Sequence, residues 1–214
     1  MFHKLQYISQ GKTVEEQLSN IQQALDAGCS WIQLRFKNAG NEQLLAVAEK
    51  VKQLTLSYKA SFIINDHPHI AKAVEADGVH LGLQDMGVLA ARNILGPQKI
   101  IGGTANTFED VCKRKEEGCN YIGLGPFRFT TTKEKLSPVL GLEGYNSILK
   151  KMEQQSINNP LYAIGGIVTE DITTLMAVGI YGIAVSEAIT HHANKKQIVQ
   201  ELNSLLYAAT HYCQ

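Results

Sequence analysis

Short apolar runs recur along the chain, and most are preceded by a longer segment in which apolar residues return every three or four positions. The first long segment places Val14, Leu18, Ile21 and Leu25 in one stripe at helical spacing, behind Thr13 and Glu16 arranged as a capping box. Asn41 opens a second helix carrying Leu44, Val47, Val51 and Leu54, and Thr107 and Thr169 are the expected N-caps of later ones. The short runs predict strands near Leu5 to Ile8, Trp31 to Arg35, Phe62 to Ile64, Val79 to Leu81, Ile100 to Gly102, Tyr121 to Leu124, Tyr162 to Ile164 and Gly182 to Val185.

The junctions repeat one local pattern: helix, a small or acidic residue, glycine, then apolar strand. It occurs at Ala27-Gly28 before Trp31, Asp77-Gly78 before Val79, Glu117-Gly118 before Tyr121, and Val178-Gly179 before Tyr181. A glycine past a helix end supplies the left-handed conformation that stops it, so each copy reads as helix stop, tight turn, buried strand. Eight such strands, most followed by a helix, define an α/β chain whose expected fold is a single (β/α)8 TIM barrel over residues 1–214. An open doubly wound sheet is the alternative, and no G-x-G-x-x-G follows the first strand to support it.

Composition narrows the picture. A hydrophobic share of 44% is enough for one sizeable core, and no Ser/Gly-rich or charged linker divides the chain. Lys plus Arg and Asp plus Glu balance at 20 each, so no global field gathers nucleic acid or an anionic membrane; any anion site must be local. No leader pattern and no bilayer-length apolar stretch is visible, and a cytoplasmic location is expected. Cys29, Cys112, Cys119 and Cys213 lack C-x-x-C or zinc-like spacing and read as buried thiols. Oligomeric state is left open, with a homo-oligomer compatible.

In a barrel of this kind chemistry sits at the C-terminal strand ends. There, period-two alternation sends Gln33, Arg35 and Lys37 to one side of strand two. A charged rim is the plain alternative, but an inward Gln needs partners. Asn65-Asp66 ends strand three and Asp85 follows strand four; each could be a helix cap, yet two carboxylates from adjacent strand ends also suit a hard divalent ion. His80 reads more readily as a satisfied core histidine than as a ligand. The strand-six loop from Gly125 carries Thr130, Thr132 and Lys133 in an excursion suited to a lid. Gly165-Gly166 and Val185-Ser186 close strands seven and eight, where backbone N–H groups form the usual phosphate site.

Charge arithmetic connects these parts. Asp66 and Asp85 beside a phosphorylated ligand would repel it by several kcal/mol at an effective dielectric of about 20, unless a divalent cation lies between. Arg35, Lys37 and Lys133 then supply about +3 against a diphosphate of about −3, and one further phosphate falls to the Gly166 and Ser186 amides.

The chain closely resembles the thiamine phosphate synthase family. The resemblance is carried by Gln33-Leu34-Arg35-Phe36-Lys37, Asn65-Asp66, Asp77 to Gly82 with Asp85-Met86, Ile101 to Ala105, Tyr121 to Pro126 with Thr130 to Lys133, and Ala163 to Ile167. It implies that 4-amino-5-hydroxymethyl-2-methylpyrimidine diphosphate loses diphosphate to a thiazole phosphate nitrogen. It also implies Gln33 and Thr104 on the pyrimidine, Arg35, Lys37, Asn65 and Lys133 on the diphosphate, and Asp66 and Asp85 on Mg²⁺. Thr130, Thr132, Gly166, Val185 and Ser186 would hold the thiazole phosphate. The chain departs from the family at Thr104, usually Ser; at His67, often Arg; at Leu83-Gln84, usually more polar; and at Pro126-Phe127-Arg128-Phe129-Thr130, which leaves the role of Arg128 open. A related thiazole tautomerase would be expected to carry His where Pro126 stands. A non-catalytic thiazole phosphate binder needs no paired carboxylates, and another barrel isomerase needs an acid/base pair that the sequence does not assemble.

Overall fold

The computed structural model describes residues 2–129 and 138–208. Its elements are β1 (Leu5–Ile8), α1 (Val14–Asp26), β2 (Trp31–Leu34), α2 (Asn41–Ser57), β3 (Ser61–Asn65), α3 (Pro68–Ala73), β4 (Gly78–Leu81), α4 (Val88–Leu95), β5 (Ile100–Ala105), α5 (Phe108–Glu116), β6 (Tyr121–Leu124), α6 (Gly141–Gln154), β7 (Leu161–Ile164), α7 (Ile172–Ala177), β8 (Gly182–Val185), α8 (Glu187–Thr190) and α9 (Lys195–Ala208). The strands close into a parallel barrel in sequence order, with β8 paired back to β1. The expected (β/α)8 barrel is therefore the fold, and the open sheet is excluded.

The barrel interior has two layers, and both follow from the register. At the floor Trp31, Tyr121 and Tyr162 meet edge to face, with ring centroids 5.0, 5.1 and 5.4 Å apart. Such pairs contribute about 0.5–1.5 kcal/mol each beyond their burial. Rings this large fit only because a glycine stands beside them: Gly102 pairs with Tyr121 and Gly182 with Tyr162 across the ladder. A Cβ on Gly102 would run into the Tyr121 ring, and one on Gly182 would lie 2.7 Å from Tyr162 Cε1. Above the floor the inward positions turn polar: Gln6, Gln33 and His80 are all buried. A barrel filled by aromatics below and amides, imidazole and hydroxyl above can bind polar ligands at one end only.

The helix boundaries show where side chains outcompete simple patterns. Thr13 Oγ1 does accept from Glu16 N at 3.2 Å, but the Glu16 carboxylate accepts from Lys12 N at 2.6 Å, so the expected reciprocal box is displaced by one residue. Asn41 opens α2 as its first residue, with Gly40 at the N-cap. Thr169 is no cap: it begins a 3-10 turn after extended Val168, and Asp171 accepts from Val168 N at 2.8 Å. Thr107 is a true cap, in a full box with Asp110. The glycine stop holds at Gly28, Gly118 and Gly179, all with positive φ. In the second copy Glu75 takes the left-handed turn, while Gly78 is required because a Cβ there would strike the Ile100 carbonyl. Cys29 and Cys119 are buried, Cys112 is partly buried, and Cys213 lies outside the described residues. No helix among the described residues is long and apolar enough to cross a membrane.

Candidate active site

β3 and β4 end side by side, and each delivers one carboxylate to the mouth. Asp66 leaves β3 with φ of 65°, a left-handed conformation uncommon outside glycine but open to Asp, while its N–H donates to His80 O at 2.9 Å. Asp85 folds back so that its Oδ2 accepts from Gly82 N at 2.6 Å, and a Cβ on residue 82 would sit 2.6 Å from that oxygen. Glycine is therefore needed for Asp85 to turn inward. The two carboxyls share a hydrogen bond. Burial foremost, then that bond and the charge of Asp85, push the Asp66 carboxyl up to about 7, against the opposing pull of Lys37 and Arg35. Lys37 Nζ stands 3.8 Å from Asp66 Oδ2 and is otherwise largely in solvent.

These residues fit a divalent cation. Two carboxyls brought together at the mouth, one half-buried and one exposed, raise the Asp66 carboxyl, and a hard dication would relieve that repulsion. Among the described residues no third His, Cys, Asp or Glu joins them. Two protein oxygens suit Mg²⁺, which characteristically completes its octahedron from water and substrate phosphates. A cavity of about 180 Å³ opens between Lys37, Asn38, Asn65, Asp66 and His67.

Beside the carboxylates lies a neutral polar wall. Gln33 Nε2 donates to Asn65 Oδ1 at 2.8 Å, and Gln33 Oε1 is buried without a partner among the described residues. An amide oxygen left unsatisfied in this way costs about 1–3 kcal/mol until a ligand donates to it. Thr104 enters from β5 with its hydroxyl 3.1 Å from His80 Nε2. Arg35 sits just past β2, because its N–H turns to Ser9 Oγ at 2.9 Å; the strand ends at Leu34, one residue before the expected limit. His80 is the satisfied core histidine expected, yet it contacts a site residue.

The opposite side of the mouth is built from backbone. Gly165 and Gly166 follow β7 with φ of 90° and 66°, and β8 ends at Val185-Ser186. Ser186 Oγ donates to Ile8 O at 2.6 Å, so its hydroxyl proton is already committed. Arg128 finds its role here: Nη1 donates to Gly166 O at 2.6 Å, while Nη1 and Nη2 grip Asp171 at 2.6 and 2.8 Å. Thr130, Thr132 and Lys133 lie outside the described residues.

Two contributors escaped the sequence reading. The role of Arg128 is open in the sequence because its partner Asp171 lies 43 positions along the chain. Arg114, on α5, is buried to 3% exposure and donates to Thr104 O at 3.0 Å, Gly82 O at 2.8 Å and Glu117 Oε2 at 2.9 Å. It thereby ties the ends of β4 and β5 together. The usable signal was Gly103, which must lack a side chain because a Cβ would lie 2.7 Å from Arg114 Cδ.

A closed parallel barrel with its polar groups gathered at the C-terminal strand ends defines a (β/α)8-barrel enzyme. The thiamine monophosphate synthase family model matches residues 5–189. Thiamine-phosphate synthase of Flavobacterium johnsoniae is 60% identical over 208 residues, covering 97% of this chain and 98% of the relative. That of Flavobacterium psychrophilum is 58% identical over 206 residues, covering 96% and 100%. The solved thiamine phosphate pyrophosphorylase of Pyrococcus furiosus superposes with a TM-score of 0.83 at 30% identity, covering 96% of each chain. The chain belongs to the thiamine monophosphate synthase family, and its activity is that of a transferase, thiamine-phosphate synthase.

Proposed function

We propose that the chain joins 4-amino-5-hydroxymethyl-2-methylpyrimidine diphosphate to 4-methyl-5-(2-phosphoethyl)thiazole, giving thiamine monophosphate and diphosphate. The observation that carries this reading is the Asp66–Asp85 pair, two carboxyls close enough to raise that of Asp66, standing beside Lys37 and Arg35. In the reaction the bond from the pyrimidine methylene carbon to the diphosphate oxygen breaks, and its electron pair leaves with that oxygen. The thiazole nitrogen then donates its lone pair to the same carbon. No proton moves at either atom, so no general base is required.

The chain's task is to position and to balance charge. Gln33 and Thr104 orient the pyrimidine, with the unsatisfied Gln33 oxygen suited to an amino group. Arg35, Lys37, Asn65 and Lys133 take the diphosphate oxygens. Asp66 and Asp85 hold Mg²⁺, which supplies charge for the departing diphosphate. Gly166, Val185 and Ser186, with Thr130 and Thr132, hold the thiazole phosphate. The local grouping of cations and carboxylates at the mouth is consistent with a balanced overall charge: the field needed is local.

Purified protein with Mg²⁺ and both substrates should form thiamine monophosphate and release diphosphate, and neither substrate alone should release it. Asp85→Ala and Lys133→Ala should each depress turnover by about 10² or more, the scale of losing one charge-stabilising group. Diphosphate release without thiazole phosphate, or near-normal turnover in either variant, would overturn the assigned roles.

A further inference from the structure

A buried file of hydrogen bonds runs up the inside of the barrel from its floor to the mouth. Gln6 Nε2 on β1 donates to Tyr121 Oη on β6 at 3.2 Å. Tyr121 Oη lies 3.1 Å from His80 Nδ1 on β4, and His80 Nε2 lies 3.1 Å from Thr104 Oγ1 on β5. Gln6, Tyr121 and His80 are all buried, at 1%, 0% and 6% exposure, so water cannot reorient the file freely. Gly123 lines it as well: a Cβ there would come within 3.2 Å of His80 Cε1, and Gly102 leaves room for the Tyr121 ring.

The proton inventory then has one consistent direction. Burial holds the Tyr121 phenol well above its ordinary range, so it stays protonated. Gln6 Nε2 can only donate, so the Tyr121 proton stays paired if it is given to His80 Nδ1, which selects one of the two tautomers open to this contact. A neutral imidazole that accepts at Nδ1 carries its hydrogen on Nε2 and donates to Thr104. With that tautomer the Thr104 oxygen accepts from His80, and its own proton remains for another partner.

We propose that Gln6, Tyr121 and His80 are positioning residues that set the polarity of the Thr104 hydroxyl, presenting it to the substrate as a hydrogen-bond donor for a ring nitrogen. This rests on the reading above, in which Thr104 faces the pyrimidine. A donor there discriminates: it matches an aromatic nitrogen lone pair and mismatches an exocyclic amino group, which leaves the amino group for the acceptor at Gln33. A neutral ring also places no extra positive charge beneath a pyrimidine that becomes electron-poor as diphosphate leaves.

The test has a spectroscopic and a kinetic arm. In ¹⁵N-histidine-labelled full-length protein without ligand, a long-range ¹H–¹⁵N spectrum, assigned with His80→Asn, should show His80 protonated at Nε2 and bare at Nδ1. The Nδ1-protonated tautomer, or a doubly protonated ring at neutral pH, would overturn the proposal. In turnover assays Tyr121→Phe should raise KM for the pyrimidine diphosphate about fivefold, the worth of one neutral hydrogen bond, and leave KM for the thiazole phosphate unchanged. In a Thr104→Val background Tyr121→Phe should have no further effect on KM, and additive effects would also sink the idea. Should Tyr121→Phe fold poorly, the tautomer in the parent decides alone. An Nε2-protonated His80 in a protein that does not turn over the pyrimidine diphosphate would uphold the buried file and refute the assigned substrate.

Discussion

Replacing Asp66 by Asn should make the cation-free protein more stable at high pH, not less, while abolishing its response to Mg²⁺. Folding raises the Asp66 carboxyl from its ordinary 3.8 to about 7, so the folded state binds that proton more tightly than the unfolded chain does. The associated stability is complete below about pH 4 and is lost as pH rises through about 7. The full difference is about 4 kcal/mol, and the part lost between about pH 5.5 and about pH 8 is about 2 kcal/mol. For a domain of this size that corresponds to about 4–8 °C in Tm. Asn keeps the shape, tolerates the left-handed backbone at this position, and cannot ionise.

The assay is thermal unfolding of parent and Asp66→Asn at several pH values in chelator and in Mg²⁺. The two should converge only below about pH 4, and the variant's advantage should grow by about 4–8 °C between about pH 5.5 and about pH 8. Mg²⁺ must displace the shared proton to bind, so each pH unit below about 7 should weaken its stabilisation of the parent about tenfold in apparent affinity. A parent-minus-variant difference independent of pH, or Mg²⁺ stabilisation equal at pH 6 and pH 8, would refute the reasoning. Other groups that titrate in this range cancel in the difference.

Further consequences follow from single contacts. Arg114→Met should cost about 3 kcal/mol in urea unfolding, because the Thr104 and Gly82 carbonyls lose a buried charged donor; a loss below about 1 kcal/mol would mean the two strand ends hold themselves. Gly102→Ala should cost at least as much, since the new methyl overlaps the Tyr121 ring, and should alter the tyrosine near-ultraviolet circular dichroism. Arg128→Met should raise KM for the thiazole phosphate several-fold with a smaller change in kcat, as Gly166 loses the side chain that fastens its carbonyl. Asp171→Asn should reproduce that effect, and a larger change for the pyrimidine diphosphate would assign the pair elsewhere.

Why some of this could be read from the sequence and some could not comes down to range. β1, β6 and β8 were legible to the residue because their apolar runs are bounded by local turn chemistry, and Gly28, Gly118 and Gly179 punctuate helix ends by their own backbone freedom. The carboxylates were legible as a pair because barrel register puts the ends of β3 and β4 at one height, so Asp66 and Asp85 needed only the fold to meet. What stayed hidden depends on partners distant in sequence. Arg128 and Asp171 are separated by 43 positions, Gln6 and Tyr121 by 115, and neither pair leaves a local trace. Glycine is the exception that reports such contacts indirectly. Gly102, Gly103 and Gly123 interrupt strands that β-propensity alone would fill, and each makes room for a side chain from another element: Tyr121, Arg114 and His80 in turn. A strand glycine with no turn to serve is therefore a mark of something large and specific pressing against it, and here all three are near Thr104, Gly102 and Gly103 just before it on β5 and Gly123 paired with it across the ladder.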